Sequence, residues 1–103
     1  MLLVVLVTIP QNKARFLAKK LLQKKVCACI NIIKGIESFF WWEGKIDITG
    51  ESLMIIKTKK SLFSKLKKVI KENHPYTVPE IVGIEATKVN KPYLDWINKE
   101  TCD

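Results

Sequence analysis

The side chains best suited to bind a metal are two closely spaced cysteines and one histidine. Cys27 and Cys29 form a C-x-C pair, and His74 is the only histidine. Thiolate and imidazole are ligands of copper and zinc, and a strand would point both sulfurs to one face. Each also has a structural alternative, because free cysteine is often simply buried and a histidine at a helix end can donate to a local carbonyl. His74 and Cys29 are therefore candidates for a weak Cu(II) or other divalent-cation site, with no obligatory cofactor.

Four carboxylates follow one another along a segment that is rich in β-forming residues: Glu37, Glu43, Asp47 and Glu51. Their oxygen atoms suit harder cations, but their spacing matches no calcium or magnesium loop. We predict that they are solvated surface charges.

The chain has little that is typical of an enzyme. It contains no glycine-rich phosphate loop, no recognisable nucleophile setting, and neither a C-x-x-C nor an H-E-x-x-H motif. A catalytic triad would have to be built around His74. We therefore predict a protein that is not an enzyme.

Composition favours one domain, residues 1–103, of an ordinary globular protein, with 48% hydrophobic and 27% charged residues. The opening MLLVVLVTIP lacks a basic start and a cleavage site, so we predict a buried strand rather than a signal peptide. No apolar stretch approaches the roughly 20 residues of a membrane span. Three cysteines, an odd number, favour reduced thiols and a cytoplasmic protein. The net charge of +8 comes almost wholly from lysine, which permits nucleic acid binding without indicating it.

Hydrophobic periodicity predicts an α+β fold. The order is βαββαβ with an extra C-terminal helix, the ferredoxin-like arrangement, in which strands one and three are central. The predicted strands are 2–7, 26–42, 46–58 and an edge strand at 79–86. The first predicted helix has the apolar stripe Ala14, Leu17, Ala18, Leu21 and Leu22. The second helix is capped by Ser61 and has the stripe Leu62, Phe63, Leu66, Val69 and Ile70, and the last helix is capped by Asn90.

The second and third predicted strands, 26–42 and 46–58, form a long hairpin that turns at Glu43-Gly44, with a bend near Gly50. The end of its first strand carries the consecutive aromatic residues Phe39, Phe40, Trp41 and Trp42. A strand of about 17 residues is roughly 50 Å long, far beyond the radius of a domain of this size, so the tip overhangs the core. We predict that neighbouring subunits cover these aromatics; the alternative is a hairpin bent back over its own sheet.

Six stretches resemble the CutA divalent-cation tolerance family: VTIP, CACIN, WWEGKI, IKT, HPYTVPEI and YLDWI, in order along the chain. The resemblance implies a homotrimer with a ferredoxin-like subunit, an architecture similar to that of PII signalling proteins, and hence a small-ligand or metal-responsive role. It places Tyr76 and Glu80 beside a cleft between subunits. Some members carry a cysteine in the first strand and a second histidine, both linked to copper; here these positions are Val7 and Asn73.

Two other functions are compatible with the sequence. Ferredoxin-like sheets with exposed aromatics bind RNA, but the RRM signature is absent and the aromatics cluster at a hairpin tip, so no nucleic acid is expected. The trimer could instead serve as a scaffold or anchor for another protein.

Overall fold

The computed structural model describes residues 1–102 and has four strands and three α-helices. The elements are β1 (Leu2–Ile9), α1 (Gln11–Gln23), β2 (Cys29–Trp42), β3 (Lys45–Lys59), α2 (Phe63–Asn73), β4 (Ile81–Glu85) and α3 (Lys91–Glu100). This is the predicted βαββαβ order with its extra C-terminal helix.

The strands form one antiparallel sheet in the order β2-β3-β1-β4, so the prediction that the first and third strands are central is confirmed. β1, which is hydrogen-bonded on both sides, is apolar at seven of its eight positions. The position of β4 at an edge accommodates Pro79, which lies just before the strand and could not donate to a ladder.

One face of the sheet packs against α1 and α2. Alternate residues of β1 and β3 point into this core, where Val5 lies opposite Ile56 and Val7 opposite Met54, all fully buried. These side chains pack against the apolar stripe predicted for α1. Leu22 is the exception in that stripe, because it lies at the edge of the apolar face of the helix and its side chain is 42% exposed. Leu66 and Ile70 of α2 complete the core.

Three predicted details are wrong at the ends of elements. β2 begins at Cys29 rather than at residue 26, because Lys25 adopts a left-handed backbone (φ 58°) that interrupts the extended chain. Ser61 does not cap α2; it lies in a 3₁₀ turn, Lys60–Leu62, that precedes the helix. Asn90 occupies the predicted capping position of α3 but makes no side-chain capping bond.

The hairpin of β2 and β3 overhangs the core, as predicted. The molecule measures 44 × 26 × 22 Å, and Trp41 and Trp42 are 72% and 53% exposed, so the hairpin is not folded back over its own sheet. The turn is at Glu43-Gly44, both with positive φ, which matches the right-handed twist of a tight hairpin. The bend expected near Gly50 lies instead at Gly35 on the other strand. There the pairing of β2 with β3 shifts by one residue between Ile33 and Ile36.

Candidate functional site

The two faces of the hairpin differ in chemistry. On one face Phe39 lies opposite Ile48 and Trp41 opposite Ile46, and all four side chains are more than half exposed. On the other face, Phe40 and Trp42 share the surface with the polar side chains Ser38, Asp47, Thr49 and Glu51. Because side chains alternate along a strand, the run of four aromatics is divided between an apolar face and a polar one.

The polar face forms one wall of a cavity of about 850 Å³, and the segment after α2 forms the other wall. Tyr76 and Glu80 both line it, so these two residues of the predicted cleft are brought together. The lining residues are Thr8, Ser38, Phe39, Phe40, Trp42, Asp47, Thr49, Glu51, Pro75, Tyr76, Thr77, Val78 and Glu80. A volume of this size can hold a small organic ligand.

A buried carboxylate lies at the inner end of this cavity. Glu51 is only 4% exposed, which overturns its predicted role as a solvated charge. The Tyr76 hydroxyl donates to its Oε2 over 2.8 Å. Burial, and then this hydrogen bond, raise the pKa of Tyr76 to about 12, so the hydroxyl keeps its proton at neutral pH. The other carboxylate oxygen, Oε1, accepts no hydrogen bond from residues 1–102.

His74 holds the end of α2 against the sheet. It is 8% exposed, its Nε2 donates to the Thr8 carbonyl over 2.8 Å, and its Nδ1 accepts from the Tyr76 backbone N–H over 3.1 Å. A neutral imidazole with the proton on Nε2 satisfies both contacts. With both ring nitrogens used, the imidazole has no lone pair free for a metal. Its role here is to position Tyr76, and through Tyr76 the carboxylate of Glu51.

The two cysteines of the C-x-C pair do not share a face. Cys27 precedes β2 and is packed in the core, where burial and then the neighbouring Cys29 raise its pKa to about 12. Cys29 is half-buried and lies near the Tyr93 side chain of α3. Burial, followed by the interaction with Cys29, raises the pKa of Tyr93. The prediction of same-face sulfurs is therefore wrong, because Cys27 lies outside the strand.

The described residues do not fit a metal within one subunit. Cys29 of β2 is level with Val4 of β1, with β3 between the two strands. His74 is bound to Thr8, four residues further along β1, so the two predicted ligands are displaced by about 13 Å along the strands and also lie on different strands of the sheet. Over residues 1–102, no group of three or more His, Cys, Asp or Glu side chains is close enough to hold an ion. The sequence offered His74 and Cys29 as ligands, but the fold gives each of them another partner.

Charge is unevenly divided over the molecule. The segments that hold α1 and α2, residues 11–25 and 59–74, contain twelve of the eighteen basic residues and one acidic residue. Among residues 1–102, the ionisable side chains that line the cavity are Asp47, Glu51 and Glu80, with no Lys, Arg or His. The ionisable side chains that line the cavity are thus opposite in charge to most of those on the helical layer. Sequence reasoning missed this, because only the pairing of β2 with β3 gathers the carboxylates.

Comparison with known proteins agrees with the fold. The family model for the CutA1 divalent ion tolerance protein matches residues 3–100. A divalent-cation tolerance protein CutA from Thermus thermophilus is 42% identical over 95% of this chain and 96% of its own length. The rice protein CutA 1, chloroplastic, is 43% identical over 96% of this chain, which spans only 56% of the rice protein.

Solved structures show the same architecture. The Thermus thermophilus divalent cation tolerance protein superposes with a TM-score of 0.96 at 42% identity, covering 99% of this chain and 100% of that one. The periplasmic divalent cation tolerance protein CutA from Archaeoglobus fulgidus gives a TM-score of 0.94 at 42% identity, covering 97% and 98%.

Fold and sequence together define a ferredoxin-like domain with a long overhanging hairpin. The chain belongs to the CutA1 divalent ion tolerance family. The relatives are named for tolerance of divalent cations, without mention of catalysis, and their names place them in a chloroplast in one case and a periplasm in another. Among residues 1–102 no helix combines the length and apolar character needed to cross a membrane.

Proposed function

We propose that the protein is a homotrimeric binding protein of the divalent-cation tolerance family, which responds to a small ligand held in the cavity between the hairpin and the segment after α2. The observation that supports this proposal most strongly is a cavity whose lining includes a buried carboxylate, Glu51, which is held by a hydrogen bond from Tyr76. A signal-type role similar to that of PII proteins follows from ligand binding at a cleft beside a subunit contact, and no catalytic step is assigned. A cytoplasmic location stays a prediction, consistent with three free thiols in the described chain.

The trimer is supported by apolar surface that a lone subunit leaves in water. Trp41 is 72% exposed and Ile46 64% exposed on the apolar hairpin face. On the sheet face away from α1 and α2, Val82 and Ile84 of β4 are about half exposed. Contiguous apolar surface of this kind is unusual on a monomer, and a cyclic assembly of three copies would cover every such patch. Trimer assembly therefore explains why the aromatic hairpin is long.

A copper role receives less support from the geometry than a small-ligand role. A metal at His74 would have to replace the Tyr76 N–H at Nδ1 or the Thr8 carbonyl at Nε2. Substitution of His74 by Ala should therefore loosen Tyr76 without changing copper uptake. Tighter binding of Cu(II) by the wild type than by His74→Ala, in a calorimetric titration, would instead restore His74 as a ligand.

Native mass spectrometry with and without one equivalent of Cu(II) tests the assembly and the metal together. We expect a species of about 36 kDa, three times the chain mass of 11.9 kDa, with no stoichiometric copper. A monomer would refute the trimer and make the hairpin a binding surface for another partner. The RNA-binding alternative predicts that the mass of the protein species increases when single-stranded RNA is added at low salt, where phosphate contacts are strongest.

A further inference from the structure

The cavity between the hairpin and the segment after α2 has the chemistry of a cation site. Its three acids, Asp47, Glu51 and Glu80, face a space that no basic side chain of the described residues lines, in a protein of net charge +8. An anionic ligand would meet three carboxylates there and no cationic side chain of residues 1–102. A cation would find both charge complementarity and the Oε1 of Glu51, which accepts no hydrogen bond from the described residues.

The spacing of the carboxylates does not suit a metal ion. Calcium and magnesium need six or more oxygen atoms at 2.0 to 2.6 Å, approximately, from one centre. Asp47 and Glu51 lie on the same face of β3 but four residues apart, about 13 Å along the strand. Over the described chain, residues 1–102, no three acidic, cysteine or histidine side chains converge on one point. The charges are spread along the cavity rather than gathered at a centre.

The walls between these charges are aromatic. Phe40 lies directly opposite Asp47 in the hairpin ladder, Trp42 follows on the same face, and Tyr76 binds Glu51. Ring faces attract ammonium groups, and apolar walls suit the methylene chain that joins two of them. A ligand with a cation at each end and an aliphatic middle matches this order of groups.

We propose that the cavity binds an elongated aliphatic diamine, with one ammonium group at Glu51 Oε1 and the other between Asp47 and Phe40. This proposal rests on the ligand-binding function proposed above and names the class of ligand. Glu51 is the recognition residue because it is buried and held in place by the protonated Tyr76. Glu80, on the opposite wall, adds negative potential to the same space.

The test compares two ligands with the same eight-carbon chain that differ only in their end groups. One is 1,8-diaminooctane and the other is 1,8-octanediol. Isothermal titration of the wild-type protein should show saturable binding of the diamine and none of the diol. Glu51→Gln keeps the side-chain shape and removes the charge, so it should weaken diamine binding about tenfold or more. Glu37→Gln removes one charge from the same hairpin outside the cavity and should leave binding unchanged.

Several outcomes would overturn this assignment. Equal binding of diol and diamine would show an apolar site, and equal binding by wild type and Glu51→Gln would show that the diamine binds elsewhere. If Glu51→Gln fails to fold, Asp47→Asn, on an exposed part of β3, provides the same comparison. Native mass spectrometry of each sample separates the two proposals: an intact trimer that takes no diamine refutes the ligand class alone, whereas a monomer refutes the trimer as well.

Discussion

At the scale of single residues, the cavity depends on contacts between positions far apart in the sequence. Glu51 and Tyr76 are 25 residues apart, and His74 reaches back 66 residues to Thr8. The resemblance to the CutA family points to Tyr76, but nothing local marks Glu51 as buried. Its neighbours Gly50 and Ser52 resemble a surface strand, and only the register of β3 brings the carboxylate beneath the Tyr76 hydroxyl.

The thiol of Cys27 should make the protein less stable at alkaline pH. Burial, with a smaller contribution from Cys29, raises its pKa from 9.0 to about 12, so the unfolded chain loses this proton at lower pH than the folded one. The free energy of unfolding should then fall as pH rises from 9 towards 12, by at most about 1.4 kcal/mol per pH unit for one proton. Guanidinium unfolding at fixed protein concentration and several pH values measures this slope.

The variant Cys27→Ala should reduce the alkaline slope, although its stability at neutral pH is lower because it leaves a small cavity. Cys102→Ala is the matched control, since Cys102 is exposed. An unchanged slope in Cys27→Ala would assign the alkaline loss to another group, of which Tyr76 is the first candidate.

At the scale of elements, the bulge at Gly35 sets the course of the hairpin. Gly35 has a φ of +71°, and its N–H donates to the Gln11 side chain at the start of α1 over 3.0 Å. A bulge bends its strand and increases the local twist. The hairpin therefore bends at a position that is hydrogen-bonded to the start of the first helix.

Two glycine substitutions should separate backbone conformation from crowding. A Cβ at Gly35 or at Gly50 meets no atom within 4 Å, but only Gly35 has positive φ. Gly35→Ala should cost about 1 to 2 kcal/mol, whereas Gly50→Ala should be neutral or slightly stabilising because it restricts the unfolded chain. Thermal unfolding of both variants gives the comparison, and equal shifts in Tm would contradict a role for the left-handed conformation.

Most elements were predictable because their signals are local. The 3.6-residue stripes of α1 and α2, the His74-Pro75 helix end and the Glu43-Gly44 turn follow from neighbouring residues alone. The bulge at Gly35 was not predictable, because the sequence around Gly35 marks a bend no more clearly than that around Gly50. The two glycines are distinguished by the hydrogen bond from Gly35 to the distant Gln11 side chain. Likewise Val26 and Cys27 have β-forming composition, but they pack in the core before the strand begins.

At the scale of the whole molecule, the two faces of the hairpin predict separable effects of mutation. Trp41 belongs to the apolar face and does not line the cavity. Replacing Trp41 by Glu should place a charge in the proposed subunit contact and convert the trimer to monomer, since burying an unpaired charge costs several kcal/mol, roughly. Analytical ultracentrifugation at micromolar concentration measures the change.

The matched control for this experiment is Phe16→Glu. Phe16 is a 56% exposed aromatic on the helical layer, so the same type of substitution there should leave the trimer intact. Dissociation by both variants would indicate a general loss of stability, and dissociation by neither would exclude the apolar hairpin face from the interface.

The division of charge described above has a consequence for how the molecule orients. With the basic residues concentrated in the segments of α1 and α2, and acids lining the cavity at the hairpin, the chain has an uneven distribution of charge as well as a net charge. A negatively charged surface such as silica or a cation-exchange resin would therefore attract the helices first. Adsorbed in this way, the protein would keep its cavities directed towards the solution.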